Sequence, residues 1–150
     1  MDLRFDMSAD APELYAALSN VSKALEHAGL PGGLNHLIDL RVSQLNGCAY
    51  CIGLHTSWAL RDGERRERLE AVADWRDSAL FTPDERAAFA WAEALTQRQH
   101  AALDGLHADL GQHFDRAQIA ALTMAVATIN AWNRVGIATH RETVPAMAAE

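Results

Sequence analysis

The chain has 150 residues, 13 Lys+Arg against 20 Asp+Glu, a formal net charge of −7 and 49% hydrophobic residues. That size and balance suit one soluble globular domain over residues 1–150, able to bury ~70% of its unfolded surface without needing a disulfide or metal to fold. The acidic balance argues against nucleic acid and against anionic membrane surfaces, and no apolar run reaches the ~18 residues of a membrane span. The stretch Met1-Asp2-Leu3-Arg4-Phe5-Asp6 lacks an apolar signal core, so a cytoplasmic location is the default expectation.

In chain order the elements read as helices throughout. Alanine occurs 29 times, strong helix formers dominate, and β-branched residues nowhere alternate. Asp10-Ala11-Pro12-Glu13 opens a first helix, with Leu14, Ala17, Leu18, Val21 and Leu25 on one face and Gly29 as its stop. Pro31-Gly32-Gly33 is a turn, and a second helix follows from about Leu34 to Leu45. Asn46-Gly47 breaks it, and a third helix starts at or near Cys48 and ends at Gly63. The charged segment Glu64 to Glu70 begins a short fourth helix, its alternating signs typical of a solvated face. Thr82-Pro83-Asp84-Glu85 is a capping box opening a fifth helix, and a short sixth lies near Asp104 to Leu110. Asp115-Arg116-Ala117-Gln118 is a second box, opening a last long helix from Ile119 to about Val135. That helix is apolar on most sides (Ile119, Leu122, Met124, Val126, Ile129, Trp132), which marks it as central or packed on another subunit. The tail from His140 is expected to fray. The fold class is therefore all-α, a single compact helical domain.

The chemistry is concentrated in two cysteines, Cys48 and Cys51, in one Cys-x-x-Cys. With His55 they fall at i, i+3 and i+7 of a helix, within about 60° of one another, so all three side chains share a face. The spacing permits a disulfide. The helix start supplies unpaired N–H groups that stabilise a thiolate, and His55, at i+4 from Cys51, serves as its base. Dithiol redox chemistry is the favoured reading. Two inert buried thiols and a zinc site completed by His36 are the alternatives, though the pair lacks the widely spaced second ligand pair usual for zinc. The helix dipole favours Cys48 as nucleophile, whereas proximity to His55 favours Cys51.

Other features carry less. Trp58, Trp75, Trp91 and Trp132 read as core and interface anchors. Asn130, Asn133 and Arg134 read as capping or intersubunit hydrogen-bonding groups. Ser43 lacks a His/Asp partnership, and His100, His107, His113 and His140 lack metal-ligand spacing.

The run Leu40-Arg41-Val42-Ser43-Gln44-Leu45-Asn46-Gly47-Cys48-Ala49-Tyr50-Cys51-Ile52-Gly53-Leu54-His55 resembles the signature of the AhpD-like alkylhydroperoxidases of the carboxymuconolactone decarboxylase superfamily. Trp75-Arg76, Phe81-Thr82, Ala90 to Thr96 and Ile129 to Arg134 extend the resemblance over most of the chain from Leu34 to Val135. It implies an AhpD-like helical fold whose helices also form an oligomer interface, as trimers or hexamers. It implies a thiol-dependent hydroperoxide reductase of antioxidant defence. Cys51 attacks the peroxide, Cys48 resolves the sulfenic acid into a disulfide, and His55 belongs to a proton relay. The redox-active disulfide is then the only prosthetic feature, with no other cofactor and no metal. A dithiol reductant protein, lipoyl or thioredoxin-like, returns the electrons.

One position departs from that pattern. Peroxidase members carry a Glu twelve residues before the first Cys, and here that residue is His36. His36 takes over the relay itself, oriented by Asp39 one turn on, or Asp39 substitutes for the Glu, or His36 is only a helix-surface residue. A disulfide reductase or peroxide sensor without efficient turnover, and a metal-binding helical protein, remain the alternative functions. Lactone decarboxylation is a weaker one, since that branch of the superfamily does not work through a Cys pair.

Overall fold

Helix α3 (Leu34–Asn46) is the hub of the structure, a computed structural model that describes residues 2–140. Leu34, Leu37, Ile38, Leu40 and Val42 are all buried, on more than one side of the helix, because α3 packs on three neighbours at once. Each such side chain contributes about 1.5–3 kcal/mol of burial. The neighbours are α4 (Ala49–Arg61), α6 (Pro83–Gln97) and α8 (Arg116–Thr139). Helix α2 (Pro12–Leu25) lies on α8, and α7 (Leu103–Leu110) lies on α6. Helix α5 (Arg66–Ala71) runs into a 3-10 turn at Val72–Asp77, and a second 3-10 turn spans His100–Ala102. Among the described residues no strand forms. The all-α expectation holds, and so do both capping boxes. The Thr82 N–H donates to Glu85 Oε2 at 2.9 Å, and Asp115 and Gln118 cap each other reciprocally at 3.0 and 2.8 Å.

The sequence pattern departs from the structure in four places. Helix α2 stops at Leu25 rather than Gly29, and contributes no fully buried residue. Packing mainly on α8 and on the short helix α1 (Met7–Asp10), it needs just a narrow inward stripe, which leaves Leu14 exposed (68%). Helix α8 continues past Val135 to Thr139, because its last carbonyls find partners there. Arg68 does not sit on a solvated face. It is largely buried, paired with Glu64 at 3.0 Å and Glu85 at 2.5 Å, and it donates to Leu80 O. The expected fraying of the tail from His140 falls, beyond His140 itself, outside the described residues.

The fourth departure is an N-terminal arm that no periodicity announces. The Arg4 N–H donates to Thr139 O at 2.7 Å. Its guanidinium donates to Ile137 O, Ala138 O and His140 O at 3.0, 3.3 and 2.6 Å, and Leu3 forms an isolated antiparallel bridge with His140. A cation at the C-terminus of α8 thus satisfies carbonyls that the helix itself leaves unpaired. The arm then turns through the short helix α1 (Met7–Asp10), which Asp6 caps by accepting from the N–H groups of Ser8 and Ala9.

Candidate active site

The site begins at the tight junction between α3 and α4. Gly47 adopts a left-handed conformation (φ 66°), which a side chain would disfavour, and its N–H donates to Gln44 O at 3.1 Å. The Cys48 N–H donates to Ser43 O at 3.1 Å, so the chain reverses at once and Cys48 becomes the N-cap of α4. Its Sγ accepts from the Cys51 N–H at 3.3 Å. The sulfurs of Cys48 and Cys51 are bonded at 2.08 Å, with Cα atoms 5.2 Å apart.

Helix α8 closes over this disulfide from the other side. A Cβ on Gly136 would lie 2.9 Å from Cys51 Sγ and 3.0 Å from Cys48 Sγ, so only glycine allows the approach. Tyr50, between the cysteines, stacks on His140 with ring centroids 3.7 Å apart. A buried amide network holds α8 to the turn below: Asn46 donates to Asn130 at 3.0 Å and to Asn133 at 2.8 Å, and Asn133 donates to Ser43 Oγ at 2.9 Å. Asn130 also donates to Thr96, and Arg134 donates to Asn130. Asn130, Asn133 and Arg134, expected to cap or to bridge subunits, therefore bond within the chain.

A cavity of about 460 Å³ opens on one face of the disulfide. Its wall includes Cys51 and not Cys48, together with His55, Asp39 and His36. Trp58 and Trp132 also line it, unlike Trp75 and Trp91, which are buried anchors bonded to Glu93 and Thr123. The indole of Trp58 meets His55 edge-on at 5.3 Å. Trp132 donates to Ser22 Oγ and meets Tyr15 edge-on, which fixes α2 against α8.

The structure resolves how His36 and Asp39 divide. His36 Nε2 lies 2.9 Å from Asp62 Oδ2, at the far end of α4. Asp62, its partner, is held below the usual carboxylate range chiefly by Arg61 and then by His36. Asp39, one turn along α3, instead faces the disulfide side: its Oδ2 is 3.4 Å from His55 Nδ1. That is ion-pair distance without hydrogen-bond alignment, and His55 Nδ1 has no other partner. Asp39 lines the cavity, and burial pushes its carboxyl up to about 7. Burial, and secondarily the charge of His36, pushes His55 down to about 4. Between those values the pair is neutral and carries one proton, on the carboxyl. Among the described residues no three of His, Cys, Asp and Glu gather as metal ligands, and His36, the fourth zinc ligand of the alternative reading, is engaged by Asp62.

A second buried charge cluster supports the fold rather than the cavity. Glu93 accepts from Arg41 at 2.8 Å, from Trp75 at 2.8 Å and from Arg76 at 2.6 Å. Burial pushes its carboxyl up, but those three donors outweigh it and hold it below the ordinary range.

Gly136, Asp62 and the arm residues escaped sequence reasoning, and Trp58, expected as an anchor, is instead a partly exposed residue of the cavity wall. Only Gly136 leaves a signal, as a helix-weakening glycine inside a long helical run.

Comparisons with known proteins agree with this architecture. Residues 12–94 match the carboxymuconolactone decarboxylase family. The uncharacterized protein YdfG of Bacillus subtilis is 33% identical over 129 residues, 85% of this chain and 88% of that protein. The uncharacterized protein YnjA of Escherichia coli is 32% identical over 94 residues, 63% of this chain and 52% of that protein. The crystal structure of ATU0492 from Agrobacterium tumefaciens, a protein of unknown function described as a candidate antioxidant defence protein AhpD, superposes with a TM-score of 0.86. It is 31% identical, covering 91% of this chain and 94% of that one. The debrominase Bmp8, in complex with 2,3,4-tribromopyrrole, shares the fold at 21% identity and a TM-score of 0.79, over 91% of this chain and 75% of its own. With the Cys-x-x-Cys pair at disulfide distance and the helices arranged as in these relatives, the chain belongs to the carboxymuconolactone decarboxylase family, as an AhpD-like protein.

Proposed function

We propose that this protein is a thiol-dependent hydroperoxide reductase of antioxidant defence, working through Cys51 and Cys48. The observation that carries the reading is the shared cavity: Cys51 is the sulfur on its wall, and His55 and Asp39 stand on the same wall. In the reduced protein the Cys51 thiolate attacks the outer peroxide oxygen. The O–O bond breaks, Cys51 becomes a sulfenic acid, and the departing alkoxide takes a proton to leave as an alcohol. The Cys48 thiol then attacks that sulfur, the disulfide forms, and water leaves. A dithiol protein reduces the disulfide. The proton balance is met locally, because the Asp39–His55 pair holds one proton near neutral pH and can pass it through the imidazole. In this reading Asp39 takes the carboxyl role, supported by its nearness to His55, and His36 lies at Asp62. We carry the expectation of a homo-oligomer, trimeric or hexameric, with this reading, since Met124 and Ile137 expose apolar surface on α8.

The test is thiol titration of the reduced protein before and after one equivalent of cumene hydroperoxide, followed by turnover with a dithiol reductant. Wild type is expected to lose two thiols and to turn over. Cys48→Ser is expected to trap a sulfenate on Cys51, and Cys51→Ser to lose reactivity. Sulfenate labelling that survives in Cys51→Ser and vanishes in Cys48→Ser would overturn the assignment. Loss of two thiols without turnover would favour a peroxide sensor.

A further inference from the structure

The cavity has a wall that the catalytic helices do not supply. Residues 2–10 contribute Leu3, Phe5, Asp6 and Met7 to it. None of these side chains enters the core, and Phe5 remains 42% exposed. Arg4 fastens the arm to the last carbonyls of α8, next to the His140 ring that stacks on Tyr50. An apolar segment that packs into no core and borders a reactive sulfur is placed to meet a ligand.

The charge around the cavity is mainly acidic. Asp6 and Glu26 are carboxylates in its wall, among the described residues no Lys or Arg lines it, and His36, which also lines it, lies against the Asp62 carboxylate. Arg4, the nearest cation of the arm, is turned away to the α8 carbonyls. Aromatic side chains form much of the remaining wall: Phe5, Tyr15, Tyr50, Trp58 and Trp132. Such a site gains from burying an apolar group and repels an anion.

We propose that the N-terminal arm makes this cavity sort organic hydroperoxides by charge, with Phe5 holding the organic group and Asp6 repelling carboxylate-bearing peroxides. The proposal rests on the peroxidase reading and narrows its substrate class. The step is the one already balanced: hydroperoxide and two thiols give alcohol, water and the disulfide.

The experiment follows thiol loss from the reduced protein in a single turnover, which needs no electron donor. The probes are hydrogen peroxide, cumene hydroperoxide, its para-carboxylate derivative and the methyl ester of that derivative. In wild type the ester is expected to react about tenfold faster than the carboxylate, with added salt narrowing the gap. Asp6→Asn retains an N-cap residue and is expected to accelerate the carboxylate severalfold while leaving the ester unchanged. Phe5→Ala is expected to slow cumene hydroperoxide by roughly tenfold and to leave hydrogen peroxide unaffected. Equal rates for carboxylate and ester in wild type, or variants that move all four probes alike, would overturn the selectivity while leaving the peroxidase standing. A wild type that loses no thiols to any probe would overturn both.

Discussion

The Asp39–His55 pair makes a sharp prediction about pH. Burial raises Asp39 from 3.8 to about 7 and lowers His55 from 6.5 to about 4. A raised carboxyl binds its proton more tightly in the folded state, so its contribution is fully present below the unfolded value and is lost as pH rises toward the folded one. A depressed imidazole does the reverse: its contribution is present above the unfolded value and is lost as pH falls toward the folded one. Each effect has a slope of about 1.4 kcal/mol per pH unit, with opposite sign, and the two windows overlap from roughly pH 4 to 6.5. In wild type they cancel. Asp39→Asn removes one partner and leaves the His55 slope, so stability should rise by about 2 kcal/mol from about pH 4.5 to about pH 6.5. His55→Gln should show the mirror image, falling over the same interval. Urea titrations at three pH values measure this, and the displacement corresponds to a midpoint shift on the order of 1 M. The difference from wild type is the diagnostic quantity, because other titrating groups are common to all three proteins. If Asp39→Asn keeps the wild-type pH profile, Asp39 does not hold a proton across this interval, and the relay fails with it.

Three further outcomes follow from the packing. Gly136→Ala drives a methyl group against both sulfurs and should lower stability by about 1–3 kcal/mol, read by thermal or urea unfolding of the oxidised protein. Glu93→Ala strands the Arg41 guanidinium beside Trp75 and should cost about 3–5 kcal/mol, whereas Arg76→Ala, at the exposed end of the same cluster, should cost much less. His36→Glu sets a second carboxylate against Asp62. It should make the protein less stable at neutral pH than at low pH, relative to wild type, with added salt reducing the difference.

Much of this protein is decided locally. Helix class follows from alanine, leucine and the two capping boxes, whose partners lie three residues apart and need nothing from the rest of the chain. The cysteine pair is local too: Cys48 and Cys51 sit one helical turn apart, and Gly47 sets the turn that starts their helix. What sequence spacing leaves open is how residues on different helices pair. His36 and Asp39 are separated by one turn of α3, and nothing in that spacing says which faces His55. The crossing of α3 and α4 decides it, carrying His36 to Asp62 at the far end of α4 and Asp39 to His55 near the disulfide. The same holds for Gly136, whose need to be glycine arises only where α8 meets sulfurs from α4. It holds also for the arm, whose anchor joins Arg4 to carbonyls more than 130 residues away. Side-chain chemistry and periodicity are properties of a segment. The pKa of a buried carboxyl, the wall of a cavity and the partner of an imidazole are properties of the packing between segments, and they exist only once the helices have assembled.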